Sequence, residues 1–241
     1  MSISVSAAEI ERDALELPPI LHDEAHYVGQ IELDLLSVRG NLNYADYHGL
    51  TKIVREKERW RTSGTFEGVL SKDEGVTIDK SFEVKGKLDY FFSDPAYFYL
   101  LLNYLDNDYS NFEKTTDGII GHGYQILNSE KKQLQLEAGL GIKHVNDTFD
   151  QITTDENVFR LALDYSDQLN ENTEFFNSLE IEIGEGSTIS QFDLWLQVGI
   201  LKNLAIKLAY ALTHESKVPD YLRHTDFETT VAIVYQFQSV D

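Results

Sequence analysis

The chain has 241 residues, of which 41 are acidic and 20 basic, so its formal net charge is −21. Such a polyanion repels a phosphate backbone, which is bound through clustered Lys and Arg, and this excludes nucleic acid as a partner. The longest uncharged stretches, such as 95–105 and 118–129, reach only about a dozen residues and fall well short of the roughly 20 apolar residues of a membrane-spanning helix. The absence of cysteine excludes disulfides, thiolate metal sites and cysteine nucleophiles.

Residues 1–26 are expected to form a tail that precedes the main fold. Ser6, Ala7 and Ala8 resemble the small-residue site at which a signal peptide is cleaved, but a basic region and a full apolar stretch are missing before them. Two interpretations stay open. The tail is either the remnant of an export signal followed by a short periplasmic segment, or an ordinary flexible start.

From residue 27 onward, apolar residues recur at every second position, as in Leu204, Ile206 and Leu208. Side chains on a strand alternate between its two faces, so each such segment has one apolar face and one polar or small face. The second segment is the weakest, because Leu50 lies out of phase with Ile53. The pattern predicts twelve strands, at 27–36, 47–55, 60–70, 78–92, 96–105, 118–127, 133–144, 157–169, 173–183, 191–201, 203–213 and 226–237.

The links between the predicted strands alternate in length. Short links are expected at 56–59, 93–95, 128–132, 170–172 and 202. Longer polar links are expected at 37–46, 71–77, 106–117, 145–156, 184–190 and 214–225. An up-and-down order then puts the tight turns at one end, which is typical of outer-membrane barrels with short periplasmic turns and longer extracellular loops. The fold expected is all-β, a transmembrane antiparallel barrel of about 12 strands at 27–237, with a C-terminal extension at 238–241.

The two faces of these strands decide which side of the barrel meets lipid. Twelve strands enclose a lumen that a single layer of apolar side chains does not fill. We therefore expect the apolar faces to contact lipid and the charged faces to line the lumen. A soluble barrel that encloses an apolar ligand is the alternative. The predicted lumen-lining residues are Glu32, Asp34, Arg61, Glu67, Glu83, Lys85, Lys87, Asp89, Glu137, Lys143, Arg160, Asp164, Glu180, Glu182, Asp193, Lys207 and Glu228.

The lumen charges carry both signs, with an acidic excess, and this pattern has two interpretations. Ion pairs and water fill the lumen, so that the protein has a structural role. Alternatively, the lumen is a narrow path that prefers small cations, since rings of carboxylates attract cations. A general porin is not expected, because wide aqueous channels appear at roughly 16–18 strands.

The last predicted strand ends in an alternating apolar pattern closed by an aromatic residue. Ile233, Tyr235 and Phe237 match the C-terminal pattern that the barrel-assembly machinery of the outer membrane reads, although residues 238–241 follow it. We therefore expect these three residues to form an assembly signal and the assembly machinery to be a partner.

Several segments together resemble a known family. They are GQIELDLLSVRGN at 29–41, GKLDYFFSDPAYFY at 86–99, GHGYQIL at 121–127, LQLEAGLGIKH at 134–144 and DFETTVAIVYQF at 226–237. In order and spacing they are similar to the domain-of-unknown-function family that includes the bacterial protein YdiY, described as a salt-induced outer-membrane protein. The resemblance implies a barrel in the outer membrane of a Gram-negative bacterium, with a role in adaptation of the envelope to salt. It implies no catalytic residues.

Catalytic and metal-binding patterns are weak in this sequence. The seven His residues show no closely paired ligand spacing, so neither a metal nor a cofactor is expected. His214 and Ser216, followed by Asp226, resemble the His-x-Ser and later acid of outer-membrane lipid A deacylases. Strand parity places His214 on the lipid face and Asp226 on the lumen face, so the three are not expected to converge. A lipid-modifying enzyme that uses this trio is the alternative function.

Overall fold

The computed structural model describes residues 24–39, 43–107, 112–129, 131–147, 153–218 and 223–240. All twelve predicted strands are confirmed within these residues. They are β1 (His26–Arg39), β2 (Asn43–Lys57), β3 (Trp60–Asp73), β4 (Val76–Phe91), β5 (Ala96–Asn107), β6 (Phe112–Asn128), β7 (Lys132–Asp147), β8 (Thr153–Asn170), β9 (Thr173–Gly184), β10 (Thr188–Leu201), β11 (Leu204–Glu215) and β12 (Thr225–Val240).

The strands form one closed antiparallel barrel. Each strand pairs with its neighbours along the chain, and β1 pairs with β12 to close the sheet. Where strands are paired, closure of this kind satisfies the backbone N–H and C=O groups between them, which an apolar solvent cannot do. None of the described residues forms a helix long and apolar enough to cross a membrane.

The strands run further toward the long-loop end than their apolar pattern predicts. The expected long link at 71–77 is wrong, because β3 and β4 continue to a tight turn at Glu74 and Gly75 with φ values of 48° and 81°. Polar residues also alternate in these extensions, and the ladder of backbone hydrogen bonds does not require apolar side chains. The long links expected at 37–46 and 184–190 are wrong as well, because only three residues separate β1 from β2 and β9 from β10. Links of four, five and nine residues remain at the same end, at 108–111, 148–152 and 216–224.

The C-terminal residues differ from the expected extension in the same way. Gln238, Ser239 and Val240 pair with the first residues of β1 and so belong to β12. Only residue 241 lies beyond the strand, and it falls outside the described residues, as does the signal-like pattern at Ser6, Ala7 and Ala8.

Side-chain exposure separates the two faces of the wall. Leu136 is 42% exposed on the outside, whereas its neighbour Glu137 is 1% exposed in the interior. Leu50, which is out of phase in the sequence, lines the interior together with His48 and Lys52. Its strand therefore keeps the regular alternation, with the apolar residues Leu50 and Val54 on the charged face. The charges point inward and the apolar residues point outward.

The interior also contains an apolar cluster that the alternation did not predict. Phe91, Tyr97, Tyr99 and Ile119 are almost fully buried against one another on the side formed by β4, β5 and β6. Glycines on the facing strands make room for the rings, since a Cβ at Gly139 would lie 2.3 Å from the Tyr99 hydroxyl. Aromatic rings thus fill part of a lumen for which the alternation predicts only polar groups.

Candidate functional site

The densest group of charges in the interior surrounds Glu137 on β7. Arg160 on β8 donates from Nη1 to Glu137 Oε2 at 2.8 Å, and Lys87 on β4 donates to Oε1. The Tyr97 hydroxyl also donates to Oε1, at 2.6 Å. Arg160 donates from Nη2 to Glu180 on β9 at 2.6 Å. This network, which we call the Glu137 network, links five strands across the lumen.

A second buried pair lies closer to the short turns. Arg61 on β3 donates from Nε to Asp89 Oδ2 on β4 at 2.7 Å, and both side chains are only 2% exposed. The guanidinium also lies over the rings of Phe91 and Tyr97, at 5.4 and 5.6 Å from their centroids. Such cation–π contacts add to the ion pair when water is excluded. Together with the Glu137 network, this pair fills one side of the barrel.

The opposite side of the interior is organised around Lys207 on β11. Its ammonium group donates to Glu32 on β1 at 2.7 Å and lies 5.3 Å from the centroid of Trp195. Trp195 in turn stacks on Phe176, with ring centroids 5.1 Å apart. Gln30 donates to Glu32 at 2.7 Å, so the carboxylate is held from two directions.

Polar side chains close the interior toward the short turns. These residues lie near the start or end of their strands. Their side chains point into the lumen and are nevertheless buried. The set comprises Gln30, Gln125, Gln135, Glu174, Gln197 and Gln236. Because water hardly reaches them, the barrel has no wide opening at this end among the described residues.

Between these closures and the long loops lies a polar cavity of about 450 Å³, which we call the chamber. It adjoins a smaller cavity of about 190 Å³, and Lys85 and Asp193 line both. The carboxylates that line the chamber are Glu32, Asp34, Glu67, Glu83, Asp193 and Glu228. The cationic and imidazole side chains are His48, Lys52, Lys85 and Lys207. Carboxylates are therefore in excess.

One wall of the chamber is held by an imidazole clamped between two carboxylates. His48 Nδ1 lies 2.7 Å from Asp34 Oδ2, and Nε2 lies 2.8 Å from Glu67 Oε1. An imidazolium donates from both nitrogens, so the charged form satisfies both contacts at once. Sequence reasoning missed His48, although its parity with Lys52 on β2 places it on the inner face. The clamp ties β1, β2 and β3 together.

The structure places every predicted lumen-lining residue on the inner side of the wall, where most of the charges are paired. Each predicted cation lies in an ion pair: Arg61 with Asp89, Lys85 with Glu83, Lys87 with Glu137, Lys143 with Glu182, Arg160 with Glu137 and Glu180, and Lys207 with Glu32. Asp164 accepts from Gln135 at 2.8 Å, and Asp193 accepts from Ser178 at 3.2 Å. Asp117, which the pattern missed, is buried and accepts from Asn103.

The three residues of the suggested hydrolase site are engaged elsewhere. His214 Nδ1 contacts the Thr225 hydroxyl at 2.9 Å, and Ser216 Oγ accepts from the backbone N–H of Thr188 at 2.7 Å. Asp226 lies opposite Thr213, which lines the chamber. Asp226 is therefore on the inner face of the sheet, whereas His214 is on the outer face. The described residues also contain no group of three His, Asp or Glu side chains arranged to hold a metal ion.

The outer wall carries aromatic rings near the short turns. Trp60 packs against Tyr90 with centroids 4.8 Å apart, and Phe92 packs against Phe98 at the same separation. Ile233 and Tyr235 are exposed on this wall, and the Phe237 ring covers Gly29 of β1. Aromatic girdles mark the interfaces of membrane barrels. The use of Ile233, Tyr235 and Phe237 as an assembly signal stays a prediction.

Solved structures of outer-membrane proteins share this fold. The translocator domain of the autotransporter NalP from Neisseria meningitidis is 12% identical, with 95% of this chain and 92% of that chain covered and a TM-score of 0.51. The NanC porin is 11% identical, covering 88% and 98% with a TM-score of 0.52. An outer-membrane channel from Pseudomonas putida F1 is 8% identical, covering 92% and 98% with a TM-score of 0.53. No curated protein matches the sequence significantly.

The family and the location follow from these observations. The barrel has an apolar outer wall, aromatic rings near one rim and a charged interior, as membrane-embedded barrels do. Its location is the bacterial outer membrane. The resemblance to a domain-of-unknown-function family is confirmed, because a family model matches residues 31–237. The chain belongs to the family described as "Protein of unknown function, DUF481".

Proposed function

We propose that this protein is a closed outer-membrane barrel with a structural role, which strengthens the envelope and limits its permeability during adaptation to salt. The observation that carries the proposal is the Glu137 network. It joins Lys87, Glu137, Arg160 and Glu180 across the lumen, where an open pore would need free space.

Opening this part of the lumen would require breaking buried ion pairs. Removal of one partner from such a pair typically costs about 3–5 kcal/mol, because an uncompensated charge stays buried. Arg61 and Asp89 form a second pair of this kind nearer the short turns. The buried glutamines at the rim add a further closure. The lumen is therefore more stable filled than open.

The burial of these pairs also supports a role at high salt. The Debye length falls from about 8 Å at 0.15 M to about 3 Å at 1 M ionic strength, which weakens exposed pairs far more than buried ones. The pair between Lys132 and Asp167 is exposed, whereas the pair between Arg160 and Glu137 is buried. Because buried pairs hold the barrel together, its interior stays intact at high salt.

Conductance in planar bilayers tests the proposal directly. We expect the unmodified protein, inserted at known copy number, to conduct almost nothing in potassium chloride. Glu137→Gln should lower the free energy of unfolding of the barrel, because it leaves Lys87 and Arg160 short of a counter-charge. The conductance of this variant should stay low. Stable, cation-selective channels from the unmodified protein would contradict a closed lumen.

A narrow cation path is the second candidate function, and the chamber favours it. Among the described residues, Asp193 and Glu228 form no ion pair, although both line the chamber. Fixed negative charge attracts cations into a confined space. If this path conducts, single channels prefer K⁺ to Cl⁻. Substituting Gln for Glu83, Glu137, Glu180 and Glu182, and Asn for Asp193, then reduces that preference. If the lumen is closed, the same substitutions mainly destabilise the barrel.

A further inference from the structure

The seam between β1 and β12 is paired over only part of its length. The register runs from His26 opposite Val240 to Leu33 opposite Ile233 and ends there. On its other side, β1 continues to pair with β2 as far as Arg39 opposite Asn43. In the part of the chain that the structure describes, no pair joins residues 34–39 to residues 225–232. The wall is therefore interrupted on the long-loop side of Leu33.

Side-chain exposure places the unpaired residues on the outer face of the wall. Leu35 on β1 is 74% exposed, the highest value among the described large apolar residues. Val231, which would lie opposite Leu35 if the register continued, is 63% exposed. Both side chains lie on the outer face, in line with Leu33 and Ile233. The gap thus reaches into the apolar, lipid-facing part of the wall.

The chamber lies directly behind the gap. Asp34, next to the last paired residue of β1, lines the chamber, and so does Glu228 from the unpaired part of β12. Open strand edges are not found in hydrocarbon but are tolerated where they border a water-filled cavity. The position of the chamber therefore explains how two unpaired edges persist at membrane depth.

We propose that this gap is a lateral opening between the chamber and the outer leaflet, which admits an amphiphile with a cationic head group. The carboxylates Asp193 and Glu228, which form no ion pair among the described residues, give the chamber the charge that complements such a head. The exposed Leu35 and Val231 provide an apolar passage for the tail. This inference goes beyond the proposed function, which concerns closure of the lumen toward the short turns.

Disulfide trapping tests the gap itself, and the absence of native cysteine makes the background clean. Directly opposite residues in an antiparallel pair have Cα atoms about 4.5–5.5 Å apart, within the range that a disulfide bridges. The test variant is Leu35→Cys with Val231→Cys. The matched control is Leu33→Cys with Ile233→Cys, two positions along the same face and so of the same pairing class.

With a copper phenanthroline oxidant, the control pair should cross-link and the Leu35–Val231 pair should cross-link roughly tenfold more slowly or not at all. Equal rates for the two pairs would show that the seam is closed and would overturn the proposal.

Binding of two amphiphiles with the same tail tests the occupant. In nanodiscs, dodecyltrimethylammonium should bind about tenfold tighter than dodecyl sulfate, because the chamber carries excess negative charge. Glu228→Gln should reduce the binding of dodecyltrimethylammonium severalfold. The control Glu171→Gln, in an exposed turn at the other end, should leave it unchanged. Equal binding of the two amphiphiles, or no effect of Glu228→Gln, would overturn the cationic occupant.

Bridging the gap tests whether the opening is the route of entry. A bismaleimide linker across Leu35→Cys and Val231→Cys should abolish uptake of dodecyltrimethylammonium, whereas the same linker on the control pair should not. Unpaired edges can also accept a strand from a second copy. If light scattering detects a dimer and Leu35→Pro abolishes it, the gap pairs with a second copy of the chain. That result would overturn the proposal that the amphiphile enters through the gap.

Discussion

Lys207 on β11 donates to both carboxylate oxygens of Glu32 on β1, at 2.7 Å each, across the intervening strand β12. The two residues are 175 positions apart in the chain. Glu32 stands one residue before Leu33, where the pairing of β1 with β12 ends. The ion pair therefore bridges the seam of the barrel at the last point at which the two strands are joined.

Loss of this bridge should weaken the closure of the barrel. In Glu32→Gln, Lys207 keeps hydrogen-bond acceptors but loses its buried counter-charge, and the free energy of unfolding should fall by about 3 kcal/mol. Denaturant unfolding in detergent, followed by Trp fluorescence, measures the change. Glu83→Gln is the control, since its pair with Lys85 is 3.7 Å long and less buried than the pair of Glu32 with Lys207, and it should cost at most about 1 kcal/mol. Equal costs for the two variants would contradict the role assigned to the bridge.

The inside-out arrangement predicts where a new charge is tolerated. Leu136, Leu196 and Leu208 point outward, and Arg at these positions should cost about 2–4 kcal/mol in lipid near the midplane. Ala211→Arg should cost clearly less, because Ala211 faces the chamber directly opposite Glu228. Unfolding in lipid vesicles compares the variants, and a greater cost for Ala211→Arg than for Leu208→Arg would reverse the assignment of faces.

From the alternation alone, Gln135 and Gln197 would also serve as lumen-side controls for an Arg substitution, but they are less suitable than Ala211. Both face inward, but both are buried. Gln135 also donates to Asp164 at 2.8 Å. An Arg at either position would have to displace packed neighbours, so its cost would combine overpacking with charge. The roomier wall of the chamber provides the cleaner comparison.

The aromatic filling of the lumen depends on the glycines opposite it. Gly139→Ala should lower the free energy of unfolding by about 1–3 kcal/mol, because the new Cβ would meet the Tyr99 hydroxyl at 2.3 Å and the backbone oxygen of Ile120 at 2.9 Å. Gly86→Ala is the control, since its Cβ would meet nothing within 4 Å. Heat-modifiability on gels and denaturant titration both report the difference, and two equally stable variants would refute the packing argument.

The hydrolase-like trio should be dispensable for any activity toward lipid. Ser216→Ala removes the hydroxyl that now accepts from the backbone of Thr188, and acyl release from outer-membrane lipid by the purified protein should not change. Mass spectrometry of released fatty acids measures this. A loss of acyl release in the variant would require His214 and Asp226 to meet Ser216 in a rearranged loop and would favour the enzyme.

The limits of prediction from sequence are clearest at the ends of the strands. The link at 71–77 and the residues after Phe237 look like loop and extension because they are polar, yet both continue the ladder. Apolar alternation reports contact with lipid, whereas backbone pairing depends only on the neighbouring strand. The pattern therefore marks the lipid-facing band and underestimates the length of the strands beyond it.

The order of the strands and the face of each residue are determined by the sequence alone, because the period of two is a local property that every strand carries within itself. Tertiary structure decides the rest. Whether Lys207 meets Glu32, whether His48 lies between Asp34 and Glu67, and where the pairing of β1 with β12 stops all depend on how the sheet closes. Closure brings together residues from the two ends of the chain, and no local pattern encodes the stagger between strands that decides which of them meet.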